Sequence, residues 1–354
     1  MADKIIQKLR EMDLQLTLMH VCGTHQDTLV RHGLQPLLED VGVDIRQGPG
    51  CPVCVTTAGE IEESIILAKA GNTIAVFGDM IKVPGVDESL SDAKTQGHDI
   101  RIVYGVNDAV DLAGRTGKDV VFVGVGFETT TPSIAVAISR SPPKNFSLLS
   151  CHRVIPPALK AIVEMGEVRL DGLIEPGHVS TIIGSRPYEF LSRDHGMPQV
   201  IAGFEPLDLL MGVFMLARQK KEGAARVDIE YRRVVRPEGN PAAVEVMNRV
   251  FDQTDVKWRG FPTIPSSGLV LSDEYQEYDA RILFEDDLAE LQGREFKEPR
   301  GCRCGEVLRG IVRSEECPLF ANACTPSNPI GPCMVSAEGS CNILYKYSQH
   351  AKRS

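Results

Sequence analysis

The chain has 354 residues, 43% of them hydrophobic and 24% charged, with a formal net charge of -10. This is the composition of an ordinary globular protein too long for one compact core. The acidic charge is spread along the chain without a basic block, which argues against phosphate-backbone binding, so nucleic acid is not an expected partner.

The N-terminal "MADKIIQKLREMD" alternates charged and apolar residues at helical spacing and lacks the uninterrupted apolar stretch of a signal peptide. No later run approaches the roughly eighteen apolar residues of a membrane span. A cytoplasmic protein without membrane association is therefore expected, and in a reducing compartment its 10 cysteines suit metal ligation or redox work better than structural disulfides. From residue 14 to about 260 one theme repeats: a short Val- and Ile-rich run, a glycine-containing loop, then a longer helical pattern. The runs are "LTLMHV", "VDIRQG", "TIAVFG", "IRIVYG", "VVFVGV", "FSLLSC", "DGLIEP" and "QVIAGF". Continuous apolar strands alternating with helices predict parallel sheets covered on both faces. The fold class is read as α/β, with two tandem doubly wound parallel-sheet domains over residues 1–115 and 116–260. The boundary is drawn at the turn signal "GRTGKD", which would equally fit inside one domain. Beyond the Pro-, Gly- and Ser-rich "RGFPTIPSSG" the pattern changes, and residues 261–354 are read as a small cysteine-rich C-terminal domain.

Cys22 lies where the first apolar run stops, with Thr24 and Asp27 spaced as a variant capping pair for the helix that follows. The second run ends in "GPGCPVC", where Cys51 and Cys54 stand three positions apart, ahead of Thr57 and Glu60 as the capping pair of a helix to about Lys69. Loops after strand carboxyl ends form the ligand crevice of an open parallel sheet, so all three thiols are expected to face one crevice. The positive end of a helix favours the thiolate, the form that binds metal or attacks a disulfide. A redox pair and a metal site both fit the Cys-x-x-Cys. A zinc ribbon would want a second such pair at compatible spacing, and none is present in these two regions.

Six further cysteines crowd into the last stretch. Cys317, Cys324, Cys333 and Cys341 are separated by six, eight and seven residues, with Pro and Gly between them and no basic residue in the span. Thiolates at such irregular spacing suit an iron-sulfur cluster better than zinc, which prefers two tight knuckles. Cys302 and Cys304 would supply a further ligand or a redox pair, and the sequence does not choose. There is no radical-type CxxxCxxC run and no Walker A loop.

Taken together, "CGTHQ", "GPGCPVC", "GFETT", "EPGHVS", "GFEPLD" and "CTPSNPIGPCMVSAEGSC" resemble, in order and over almost the whole chain, the HypD family of NiFe-hydrogenase maturation proteins. The resemblance implies a scaffold on which the Fe(CN)2CO unit of the hydrogenase is built, in complex with a HypC-like small chaperone and a HypE-like cyanide donor, and monomeric outside that complex. It implies Fe(II) carrying CN and CO as cargo on Cys22, Cys51 and Cys54, thiol redox chemistry at the latter two, and a 4Fe-4S cluster on Cys317, Cys324, Cys333 and Cys341. The family usually reads Glu where this chain has Gln26, which puts a proton-accepting role at that position in doubt and leaves Asp27 as a substitute.

His25, three positions after Cys22, is a candidate for ligand, proton donor or helix cap. Asp79, Glu128 and His178 sit at strand ends, where capping is the commoner role. Cys151 reads as a buried inert thiol, and Trp258, the one tryptophan, as a packing residue at a domain junction. The competing function is an iron-sulfur-dependent thiol-disulfide oxidoreductase acting through Cys51 and Cys54, which would need no third thiol; a zinc-bound interaction module is the third reading.

Overall fold

In the computed structural model, which describes residues 1–351, all eight apolar runs are strands. They are β1 (Leu16–His20), β2 (Val43–Gln47), β3 (Thr73–Phe77), β4 (Ile100–Val103), β5 (Val120–Gly126), β6 (Phe146–His152), β7 (Gly172–Pro176) and β8 (Gln199–Ala202). With β9 (Val227–Ile229), whose three residues carry too little pattern to be read from sequence, they make two parallel sheets ordered β2-β1-β7-β8-β9 and β4-β3-β5-β6. β5 and β6 are buried along their full length, which is why they read as continuous apolar runs.

The α/β class and parallel sheets agree with the sequence reading, but the order along the chain differs from a division at residues 115 and 116. Leu18 of β1 pairs with Gly172 of β7, so the first two strands join the last three, and the four strands between them form the other sheet. "GRTGKD" lies within that four-stranded sheet, since β5 pairs with β3 across it. A turn signal reports a chain reversal and carries no information about which sheet the next strand joins.

The expected break at "RGFPTIPSSG" is also absent. β10 (Phe251–Lys257) and β11 (Thr263–Leu271) form an antiparallel hairpin across it, with a register shift between Thr254 and Val256 and Ser266 at a φ of 53°. A bulged strand of Pro, Ser and Gly has the composition of a loop. Trp258 packs as expected: it is fully buried, its ring stacks on Phe127 at 5.8 Å, and its indole N–H donates to Ser267 Oγ at 2.9 Å.

Beyond β11 the chain runs through 3-10 turns and short helices to a last helix, Ser340–Ala351. This cysteine-rich stretch folds back onto the loops of the sheets: the turn Pro332–Val335 packs on the turn Pro52–Val55, and the last helix packs on the helix Gly23–Arg31. Both halves of the cysteine complement thus enter one apolar core.

Candidate functional site

A cavity of about 790 Å³ opens where the carboxyl ends of the strands meet, as expected for parallel sheets. Cys22 and Pro52 line it from the loops after β1 and β2, Asp79 and Phe127 from those after β3 and β5, His178 from the loop after β7, and Glu338 from the C-terminal region. The two cysteine loops are locked at one corner. Gly48 N–H donates to His20 O at 2.7 Å and Gly23 N–H to Gly50 O at 3.3 Å. A Cβ at Gly50 would strike the backbone of Val21 and Cys22, so only glycine allows this approach.

Cys22 is the N-cap of the helix Gly23–Arg31 and 7% exposed. The expected thiolate-favouring effect of the helix start is overridden. Burial pushes this thiol up to about 11 against the opposing backbone hydrogen bond from His25, and the Glu338 carboxylate adds to the rise. Taking a full charge out of water costs more than a helix end returns.

Cys51 and Cys54 form a disulfide with a Cα–Cα distance of 5.2 Å and are fully buried. Of the three thiols expected to face the crevice, then, only Cys22 lines it; the pair lies behind Pro52 and Val53 in its wall. Cys54 N–H donates to Cys51 Sγ at 3.2 Å. The predicted capping box after the pair is present, with Thr57 N–H on Glu60 Oε2 at 2.8 Å, and the helix it starts spans Ala58–Lys69. Glu60 also takes Arg153 Nη2 on both oxygens at 2.8 and 2.7 Å, an almost wholly buried pair reaching from β6. Burial alone would raise the Glu60 carboxyl, and the guanidiniums of Arg153 and Arg281 outweigh it, holding it below its usual range. The other predicted capping pair fails: the helix after Cys22 has no side-chain cap, and Asp27 accepts from the Tyr347 hydroxyl at 2.9 Å.

His25 points away from the crevice. Its Nε2–H is shared between the carbonyls of Ala202 and Gly203, at 3.3 and 3.0 Å, and burial lowers its pKa to about 3, so it ties the first helix to the loop after β8 as a neutral ring. Gln26 accepts from His20 Nε2 at 2.8 Å. Asp79 accepts from Ser336 Oγ at 3.3 Å. Glu128 accepts from Ile155 N–H at 2.9 Å, as a cap, while burial pushes it up to about 7. Cys151 is buried, and burial drives its thiol well above its ordinary range.

Two carboxyls, one lining the cavity and one buried beside the lining residue Pro176, were not singled out by sequence reasoning. Glu338 is pressed against Gly23, where a Cβ would come within 2.5 Å of its own Cβ. Glu175, at the end of central β7, is fully buried, and neither carboxyl oxygen has a partner among the described residues. Burial pushes it up to about 8. An acid inside the apolar "DGLIEP" is the signal that marks it.

The C-terminal sulfurs gather around a small enclosed cavity lined by Cys302, Cys304, Cys317, Cys324 and Cys341, with Cys333 in contact with Cys304. The pair left open in the sequence thus joins the other four. Gly331 makes room for it: a Cβ there would lie 2.6 and 2.7 Å from the sulfurs of Cys304 and Cys302. Among the described residues no three His, Cys, Asp or Glu side chains are drawn together closely enough to hold a metal ion. The donor set around the cavity is nevertheless all sulfur, walled by Leu319, Phe320 and Met334. That chemistry fits an iron-sulfur cluster.

The family model HypD, described as the hydrogenase formation hypA family, matches residues 1–348. The chain is 44% identical to a putative hydrogenase expression/formation protein of Methanocaldococcus jannaschii, over 97% of this chain and 95% of the relative. It is 41% identical to the hydrogenase maturation factor HypD of Cupriavidus necator, over 94% and 89%, and 40% identical to that of Escherichia coli, over 98% and 95%. No described helix is long and apolar enough to cross a membrane.

Proposed function

The chain belongs to the HypD family, and from that premise we propose that it is the scaffold and redox protein on which the Fe(CN)2CO unit of NiFe-hydrogenase is assembled. The observation that carries this reading is the arrangement of sulfurs: one thiol, Cys22, at the crevice, a disulfide directly behind the crevice wall, and six cysteines behind that.

The iron is cargo. Cys22 binds it as thiolate together with a thiol of the HypC-like chaperone, and metal binding releases the proton that burial otherwise holds on Cys22. The HypE-like partner presents cyanide as a thiocyanate. Reduced Cys51 and Cys54 supply what its cleavage needs: the S–CN bond breaks, the donor regains its thiol, hydrogen cyanide is released to bind the iron as cyanide with loss of its proton, and Cys51–Cys54 closes to the disulfide. Two hydrogens and two electrons leave the dithiol, so the step balances. The carboxyls of Asp79 and Glu338 and the His178 ring face the crevice where those protons are exchanged.

Cys317, Cys324, Cys333 and Cys341 would hold a 4Fe-4S cluster, with Cys302 and Cys304 beside it. Such a cluster supplies one-electron transfers, the chemistry that resets a disulfide. The alternative of a thiol-disulfide oxidoreductase for external proteins is less well supported, because it leaves the third thiol, Cys22, at the crevice without a role. The test is Cys51→Ser: cyanide-bearing iron is expected to be lost while chaperone binding persists, and a variant that still produces it overturns the assigned role of the pair.

A further inference from the structure

The segment from Cys317 to Cys341 contains no Lys, Arg or His. Four buried thiolates around a 4Fe-4S cluster carry net negative charge, which grows by one unit when the cluster accepts an electron; buried charge without compensation is costly. The compensating cation has to come from elsewhere in the chain.

Arg259, in the connection between β10 and β11, is 2% exposed. Its backbone N–H donates to Val55 O and its Nε–H to Thr56 O, both at 2.8 Å, which fixes it on the end of the Cys51–Cys54 turn. Nη1 donates to Glu298 at 2.7 Å, and Nη2, equally buried, has no partner among the described residues. The next residue, Gly260, is packed backbone to backbone against Gly305, the neighbour of Cys304. The turn Pro52–Val55, whose end Arg259 holds, packs in turn on Pro332–Val335, which carries Cys333. Arg303, the neighbour of Cys302 and Cys304, is engaged by Glu306 at 2.8 Å and only partly buried.

We propose that Arg259 is the counter-charge of the C-terminal sulfur site and sets its reduction potential, holding the Cys51–Cys54 turn against that site at the same time. Cluster potentials follow net charge, hydrogen bonds to sulfur and solvent exposure, and a buried guanidinium supplies the first. The proposal rests on the reading that these cysteines hold a 4Fe-4S cluster. Its redox step is one electron, taken from a low-potential dye, onto the oxidised cluster, with no bond made or broken. Arg259 acts through the cluster and is a positioning residue.

The experiment is a redox titration of the full-length, anaerobically reconstituted protein, with the reduced cluster read by electron paramagnetic resonance. Arg259→Gln is expected to lower the reduced-to-oxidised ratio at fixed potential about tenfold, a downward shift of about 59 mV for a one-electron couple. Arg259→Lys is expected to keep most of the wild-type potential. Glu298→Gln, which removes the guanidinium's own counter-charge at a half-exposed position, is expected to shift the potential upward by a smaller amount. Opposite signs are the signature, since loosened packing does not distinguish them. Shifts of the same sign, or none, overturn the proposal. If Arg259→Gln does not fold, Glu298→Gln decides alone: an upward shift supports the proposal and an unchanged potential overturns it. A wild-type protein that takes up no cluster overturns the functional reading itself, and this proposal with it.

Discussion

The two cysteine regions are built in opposite ways. Cys22, Cys51 and Cys54 stand at the carboxyl ends of parallel strands, where a capping box, a glycine corner and the buried Arg153–Glu60 pair hold the backbone. Of the six C-terminal cysteines, five hang on turns and helices of four or five residues, only Cys341 standing on a longer helix, and few side-chain hydrogen bonds hold them. The protein therefore fixes the first group's geometry through its own fold, while the second group, on the proposed reading, would be completed by what its sulfurs bind. The contrast suits the proposed roles: a preformed wall for a passing iron, and a cage completed by its resident cluster.

Removing what holds the first region should hurt most. Arg153→Met leaves Glu60 buried without its partner and is expected to cost about 3–5 kcal/mol, measured by urea unfolding; a loss under about 1 kcal/mol would mean the loop is held by packing alone. Glu175 comes next. Its carboxyl ionises near 4.5 when unfolded and near 8 in the fold, so the stability present below about pH 4.5 falls as pH rises toward 8. The deficit is about 3 kcal/mol at pH 7. Glu175→Gln should flatten that decline and exceed the wild type at alkaline pH; parallel pH curves for the two proteins would show the carboxyl finds a partner in solution. The smallest effects compare the regions directly. Thr57→Ala, which removes the capping box after Cys54, should cost about 1 kcal/mol. Thr325→Ala, which removes an exposed turn bond to Asn328, should cost less than about 0.5 kcal/mol. Equal losses would erase the distinction between the regions.

Much of the first region was legible in the sequence. Eight strands, the Thr57–Glu60 box and the helix to Lys69 follow from apolar periodicity and capping chemistry, both local. What the sequence did not yield is long-range. No local signal joins β1 to β7 across the intervening sheet, and the bulged β10–β11 hairpin has the composition of a linker. The state of Cys22 was misread for a similar reason: its place at a helix start was visible, but its burial, which decides the sign, was not. Arg259 and Glu338 enter the sulfur regions from distant segments, and only the folded chain brings them there.

The central claim is that Cys22 holds an iron on which cyanide and carbonyl ligands are assembled. The most direct measurement is infrared spectroscopy in the cyanide and carbonyl stretching region, on protein purified anaerobically with its co-expressed HypC-like partner, wild type beside Cys22→Ala. Bands in the wild type that vanish in the variant are the predicted result. Wild-type protein with a full iron-sulfur cluster and intact partner binding but no such bands would contradict the account and transfer its sulfurs to the reductase reading.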